Sequence, residues 1–102
     1  MNQPALILLV KFKSPLSLAE VEKVAAGRLN EFRALPGLKQ KYYLQDEASG
    51  EYAGLYLWKS QEALSTYRDS ELRASIAEAY QVDGEPRVEV YRIVKVLRED
   101  TA

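Results

Sequence analysis

The stretch that decides the fold is "LKQKYYLQDEASGEYAGLYLW", residues 38–58. Its first part, residues 38–45, alternates between two edges, and its last part combines aromatic and aliphatic side chains that favour strands. Between them, "DEASG" at 46–50 has the polar and glycine-containing composition of a turn. Together these features predict a β-hairpin.

The segments before the hairpin predict a strand and a helix. The apolar run at residues 5–12 is short enough for a buried strand. Residues 17–35 place their apolar side chains on one arc at about 100° per residue, which is typical of an amphipathic helix. Ser17 and Glu20 have the spacing of a capping box at its start, and "PG" at 36–37 ends it.

The segments after the hairpin predict helix and then strand. Ser60 begins a second helix, and "DS" at 69–70 begins a third, short one. A loop follows at 82–86, and a long closing strand at 87–99. The chain, residues 1–102, is therefore predicted to be one α+β domain of ferredoxin-like βαββαβ order with a four-stranded antiparallel sheet.

Composition excludes several classes of site. The chain has no cysteine and no histidine, which rules out disulfides, zinc-thiolate sites, catalytic triads that use histidine and axial histidine for haem. A net charge of −1 argues against nucleic acid as a partner. The apolar run at 5–10 lacks a basic leader and is too short to span a bilayer, so we expect a cytoplasmic protein without a membrane partner.

One edge of the second hairpin strand carries Tyr52, Gly54, Tyr56 and Trp58, here called the aromatic edge. Three interpretations are open. The rings can fill the core of a dimer, stack nucleic-acid bases as in an RNA-recognition module, or line a pocket for an aromatic molecule. Glu51 stands where such a module places a cation, which weakens the second interpretation.

The predicted sheet has helices on one face only. We predict that Ala53, Leu55 and Leu57 face the helices and that the aromatic edge lies on the uncovered face. Both edges of the closing strand are too apolar for water. The uncovered face is therefore predicted to be buried against a second copy of the chain.

The pairing register decides which polar groups join the aromatic edge, because a slip of one residue reverses every side chain. We choose the register that keeps the lysines away from the aliphatic edge, since burying their charge there is costly. It gives four pairs: Gln45 with Tyr52, Tyr43 with Gly54, Lys41 with Tyr56, and Lys39 with Trp58.

Residues 36–67 resemble the hairpin of the YdhR-like monooxygenases, a branch of the dimeric α/β-barrel superfamily that also contains the antibiotic-biosynthesis monooxygenases. The positions that match are Pro36, Gly37, Leu38, Lys41, Gly50, Gly54, Tyr56 and Leu57. Tyr43 replaces a tryptophan of the family pattern, Ala53 a glycine, and Trp58 a phenylalanine. The histidine that is usual near residues 70–80 is absent.

The resemblance implies a homodimer whose two sheets form a closed barrel, with a pocket between sheet and helices in each half. It also implies a monooxygenase, an oxidoreductase that uses no metal, haem or flavin and oxidises a phenol- or hydroquinone-like molecule. The alternative is a homodimer that only binds a small molecule or has a structural role.

Such chemistry needs a group that favours a phenolate. Lys41 is the candidate for this role by its charge, or as a base if burial lowers its pKa. Tyr43 and Tyr56 can hydrogen-bond the ring oxygens, which completes the predicted catalytic set. The predicted substrate-binding set is Trp58, Gly54, Tyr67 and Arg73. Asp46, Glu47 and Glu51 cluster in the turn without forming a convincing metal site.

Overall fold

The computed structural model describes residues 5–98 and contains a four-stranded antiparallel sheet. Its strands are β1 (Leu6–Lys13), β2 (Leu38–Gln45), β3 (Tyr52–Trp58) and β4 (Asp83–Arg92). They lie in the order β2-β3-β1-β4, so the hairpin occupies one side of the sheet and β4 forms the other edge. The predicted ferredoxin-like α+β fold is confirmed.

The helical segments pack on one face of this sheet through a shared apolar core. They are α1 (Leu18–Ala26), α2 (Leu29–Arg33), α3 (Gln61–Arg68), α4 (Glu71–Ala74) and α5 (Ile76–Ala79). The capping box of Ser17 and Glu20 is present, and Ser60 and Ser70 cap α3 and α4 through their side chains. No helix within residues 5–98 is long and apolar enough to cross a bilayer.

The first predicted helix, residues 17–35, is wrong as a continuous element. It ends at Ala26, and α2 begins at Leu29. The hydrogen-bond ladder tightens at the break, where the Arg28 amide donates to the Ala25 carbonyl, and Arg28 leaves the helical region with φ −117°. Glycine at position 27 weakens the helix at this point, because it has the greatest backbone freedom to lose.

The closing strand begins and ends earlier than predicted. β4 includes residues 83–86, which were expected to be a loop, because Lys13 pairs with Asp83 beyond an irregularity in which the extra residues belong to β4. Pro86 is tolerated since β4 is an edge strand. The strand ends at Arg92 opposite Leu6, and the residues from 93 to 98 lie outside the strand. Residue 99 of the predicted strand lies outside the described residues.

The predicted orientation of the hairpin is wrong. The aromatic edge faces the helices, where Tyr52, Tyr56 and Trp58 are 6%, 2% and 0% exposed. Leu55 and Leu57 are only partly buried and lie on the uncovered face. The aromatic side chains bury more apolar area than the aliphatic ones, and α2 and α3 supply further rings to pack against them.

The predicted register is confirmed at three of its four pairs. Lys41 pairs with Tyr56, Tyr43 with Gly54, and Gln45 with Tyr52. The fourth pair is wrong because an irregularity between Leu38 and Gln40 shifts the register, and Leu38 instead of Lys39 stands opposite Trp58. The bulge keeps an aliphatic residue beside Trp58.

Candidate active site

Lys41 lies on β2 with its amine enclosed by aromatic rings. Its Nζ is 3.5 Å from the centre of the Phe32 ring, 4.4 Å from that of Tyr43 and 4.6 Å from that of Tyr56. Two of these rings come from the hairpin and the third from α2. No carboxylate among residues 5–98 lies within 4.0 Å of this nitrogen. The cation is therefore held by ring faces instead of by an ion pair.

The surroundings of Lys41 lower the pKa of its amine. Burial lowers its pKa from the usual 10.5 to about 7, and the positive charge of Arg28 acts in the same direction. The ring faces oppose this shift, since they favour the ammonium form. At neutral pH both forms are populated, so Lys41 can accept a proton or present a positive charge.

Tyr56 and Tyr67 place two hydroxyls close to the rings that enclose the Lys41 amine. Tyr67 donates a hydrogen bond of 3.3 Å to the Tyr56 hydroxyl, and their ring centres are 5.3 Å apart. Burial raises the pKa of Tyr67 and raises that of Tyr56 well above its usual value. Both hydroxyls therefore stay protonated at neutral pH and act as neutral donors.

Trp58 continues the same ring cluster on the other side of Tyr56. The two rings are stacked at 6.3 Å with an angle of 7° between their planes, and Tyr67 lies 5.2 Å from Trp58. The Trp58 side chain is fully buried, and its Nε1 has no hydrogen-bond partner among the described residues. Its position is that of a packed core residue.

Two of the cavities within residues 5–98 meet at Lys41. The interior cavity is about 30 Å³, room for about two waters, and is lined by Lys41, Tyr43, Gly54 and Tyr56. A groove between α2 and β2 measures about 300 Å³ and shares Lys41 and Tyr43 with it. This α2–β2 groove is also lined by Leu29, Phe32, Arg33 and Lys39.

A third cavity, of about 500 Å³, lies elsewhere and is lined by Trp58 and Tyr67. The structure therefore brings the predicted catalytic residues and Gly54 together, but it separates Trp58 and Tyr67 from the cavities at Lys41. Arg73 lies on α4, partly buried, close enough for its charge to lower the pKa of Tyr67 against the larger effect of burial.

Gly54 fixes how close the Tyr56 ring approaches the sheet. A Cβ at this position would lie 3.0 Å from Cε1 of Tyr56 and 3.3 Å from its hydroxyl oxygen. The tyrosine ring and its hydroxyl thus lie over the glycine. A side chain at position 54 would displace that hydroxyl.

Two residues of the site were missed by the sequence reasoning. Phe32 was assigned to the apolar arc of a helix, and nothing in its spacing distinguishes a ring that covers an amine. Arg28 lies at the break between α1 and α2, where one Nη donates to the Ser75 hydroxyl at 2.6 Å and Nε is buried without a partner among the described residues. Its charge acts on Lys41 and Tyr43.

Carboxylates do not gather at this site. Within residues 5–98 no group of three or more aspartates or glutamates is arranged to hold a metal ion. The Asp46 carboxylate instead accepts from the Ala48 and Ser49 amides in the turn and pairs with Lys11. These contacts, led by the hydrogen bond from Lys11, lower the pKa of Asp46 to about 2.

The family of the chain follows from a comparison with family models. Residues 7–99 match the family described as "putative mono-oxygenase ydhR". The chain belongs to this family. The match includes all four strands of the sheet and the whole Lys41 site, so the YdhR family assignment concerns the domain as a whole. No protein among those with curated descriptions matches the chain.

Solved structures agree with the fold of this YdhR family member. SnoaB from Streptomyces nogalater, a cofactor-independent oxygenase, has a TM-score of 0.74 at 17% identity, with 95% of this chain and 100% of that chain covered. A "putative antibiotic biosynthesis monooxygenase" from Caulobacter crescentus has a TM-score of 0.73 at 22% identity, covering 91% and 92%. A dimeric ferredoxin-like protein from Thermobifida fusca has a TM-score of 0.69 at 16% identity, covering 91% and 95%.

Proposed function

We propose that this protein is a cofactor-independent monooxygenase that oxidises an aromatic molecule with an ionisable hydroxyl group at Lys41. The observation that carries the proposal is an amine enclosed by three rings, with no carboxylate partner among residues 5–98. Membership of a monooxygenase family supports the reaction type. SnoaB, a cofactor-independent oxygenase with this fold, supports chemistry without a metal, haem or flavin.

The reaction needs a substrate that donates electrons, because triplet dioxygen reacts slowly with ordinary closed-shell molecules. Lys41 in its amine form accepts the hydroxyl proton, and the resulting ammonium then pairs with the phenolate. The phenolate passes one electron to dioxygen, and the ring radical combines with superoxide to form a carbon–oxygen bond. The Lys41 ammonium then returns its proton to the peroxide anion, which gives a hydroperoxide and restores the amine. For a naphthol, loss of water from the hydroperoxide gives a quinone, so one oxygen atom enters the product and the other enters water.

Each residue near Lys41 has a defined part in this proposal. Tyr56 is a neutral donor to the developing oxygen charge, since burial keeps its hydroxyl protonated. Tyr43 is 41% exposed and lies between the interior cavity and the α2–β2 groove, where its ring can cover the substrate. The interior cavity has room for dioxygen or water, and the aromatic substrate occupies the α2–β2 groove.

We also propose that the active form is a homodimer. The uncovered face of the sheet includes the partly buried Leu55 and Leu57 and three exposed apolar side chains, Tyr42 at 54%, Leu44 at 41% and Tyr91 at 50%. The charged residues Lys11, Arg87 and Glu89 lie on the same face. Large exposed apolar side chains grouped on one face, with polar groups beside them, are typical of an interaction site. A second copy would cover it and complete the barrel, as the Thermobifida fusca relative is described as dimeric.

One observation favours the alternative of a dimer that binds a small molecule or has only a structural role. The interior cavity of about 30 Å³ cannot hold an aromatic ring, and the cluster of Tyr56, Trp58 and Tyr67 is closely packed. Under this alternative the rings stabilise the fold, and Lys41 binds an anion without turnover.

Oxygen uptake distinguishes these functions. The protein would be incubated with 1-naphthol or anthrone under ¹⁸O₂. Oxygen uptake would be recorded at an electrode, and the number of ¹⁸O atoms in the product would be measured by mass spectrometry. We expect uptake above autoxidation and one labelled atom per product. Lys41→Met should lose at least about 10²-fold in rate, while Lys23→Met, on the exposed surface of α1, should keep it. Lack of uptake with both substrates, or equal rates in the two variants, would refute the proposal.

A further inference from the structure

The α2–β2 groove concentrates positive charge in a chain whose positive and negative residues nearly balance. Arg33, Lys39 and Lys41 all line it, and its lining includes no aspartate or glutamate. The net charge of the chain is −1, so these three cations are a local feature. At about 300 Å³ the groove has the volume of a small-molecule site.

These cations lack anionic partners within residues 5–98. The ion pairs of that part of the chain join Lys11 with Asp46 and Arg87 with Glu89, away from the groove. Arg33 donates through one Nη to the Asn30 side chain at 3.3 Å, which leaves the rest of its guanidinium available. The fixed positive charges of Arg33 and Lys39 therefore attract an anion to the groove.

The groove also offers surfaces for a planar ring. Phe32 is buried with its ring face against the Lys41 amine, Tyr43 is half-exposed, and Leu29 adds an aliphatic wall. The Lys41 amine marks the inner end of the groove, where it borders the interior cavity, and Arg33 and Lys39 are on the exposed surface. A ligand that fits is flat, with an ionisable group inside and a fixed negative charge outside.

We propose that the α2–β2 groove binds a hydroxyaryl carboxylic acid, with its carboxylate on Arg33 and Lys39 and its hydroxyl at Lys41. The fork of the Arg33 guanidinium matches the two oxygens of a carboxylate, and Lys39 adds a second charge. The substrate class rests on the proposed function, since the hydroxyl is the group that would be oxidised. The binding does not depend on turnover and is testable by itself.

The test compares a charged ligand with its uncharged ester. Binding of 6-hydroxy-2-naphthoate and of its methyl ester would be measured anaerobically by calorimetry with the full-length protein. We expect the acid to bind about tenfold more tightly or better, which corresponds to about 1.4 kcal/mol. Arg33→Gln and Lys39→Gln should each remove most of that preference without changing the affinity for the ester. Arg68→Gln, on the exposed surface of α3, is the matched control.

Failure of this inference and failure of the proposed function give different results. Equal affinities for acid and ester, or the same loss in Arg68→Gln as in Arg33→Gln, would overturn the carboxylate site even if 1-naphthol is oxidised. Selective binding of the acid by the wild type, lost in Arg33→Gln, would support the site even if no oxygen uptake occurs. Circular dichroism of each variant separates loss of binding from loss of folding.

Discussion

Lys41 stands directly opposite Tyr56 across the hairpin, and its Nζ lies 4.6 Å from the centre of the Tyr56 ring. This pairing brings an amine and a phenol hydroxyl to the same face of the sheet, beneath α2. The amine has lost most of its hydration, and the phenol remains protonated because it is buried. A base and a neutral donor thus lie side by side, which is the arrangement that favours a bound phenolate.

The first prediction concerns the cost of burying Lys41. Its pKa in the folded state is about 7, against 10.5 normally. Between these values the unfolded chain binds one more proton than the folded protein, so the free energy of unfolding should rise with pH over this range. Lys41→Met removes that slope. Urea unfolding should show the variant more stable than the wild type at pH 6, by on the order of 3–5 kcal/mol, with the gain largely gone at pH 10.

Lys23→Met is the control for this pH series and should keep the wild-type slope. A wild-type free energy of unfolding that is flat between pH 7 and 10, or that falls, would show that Lys41 is not desolvated as described.

The second prediction concerns the buried hydroxyl pair. Tyr56→Phe and Tyr67→Phe each break the 3.3 Å hydrogen bond between them. Because that bond is long for two hydroxyls, each change should cost about 0.5–1.5 kcal/mol in the free energy of unfolding. The double variant should cost less than the sum of the two, with a coupling of about 0.5 kcal/mol or more. Thr66→Val, exposed on α3, should change stability by no more than about 0.5 kcal/mol. Full additivity of Tyr56→Phe and Tyr67→Phe would show that the pair does not interact.

The third prediction compares two glycines. Gly54→Ala places a Cβ 3.0 Å from the Tyr56 ring, which must move. We expect a loss of about 1–3 kcal/mol in stability and a further loss of oxygen-uptake rate as the hydroxyl is displaced. Gly27→Ala meets only backbone atoms at 3.7 Å and has ordinary φ −71°, so it should stabilise the fold by about 0.4–1 kcal/mol. The melting temperatures of the two variants would be compared with that of the wild type. A shift of both melting temperatures in the same direction would contradict this account.

The fourth prediction tests the homodimer. Leu55→Glu introduces a charge on the uncovered face of the sheet, next to Tyr42 on β2. Sedimentation should give a dimer for the wild type and a folded monomer, or a much weaker dimer, for the variant. Thr66→Glu, on the exposed side of α3, should remain dimeric. A monomeric wild type at micromolar concentration would remove the second copy from the proposal.

The hairpin shows which parts of the fold the sequence specifies strongly. Its strand ends, its turn and three of its four pairs were predicted, because alternation and turn chemistry act over short distances. Its orientation was predicted wrongly, since both edges of β3 are apolar and a period of two residues does not say which edge faces the helices. The decision depends on the rings of Phe32 and Tyr67, which come from distant segments.

The site was predictable in part for the same reason. Pairing placed Lys41, Tyr43, Tyr56 and Gly54 together, and the structure keeps them together. The wrong orientation came from assigning the aliphatic edge of β3 to the side of the helices. The expected cost of burying lysine there decided the register. It is offset by three ring faces and by the opening of the α2–β2 groove. Arg28 was beyond sequence reasoning, because its place depends on a helix break at Gly27.

The protonation state of a bound phenol tests the central claim most directly. 4-Nitrophenol, which does not react with oxygen under these conditions, would be titrated with pH in the presence of saturating protein, and its absorption spectrum would report phenol and phenolate. We predict that the pKa of the bound phenol is at least about one unit below that of the free compound and that Lys41→Met abolishes the shift. An unchanged or raised pKa in the wild type, or the same lowering in Lys41→Met, would contradict the account.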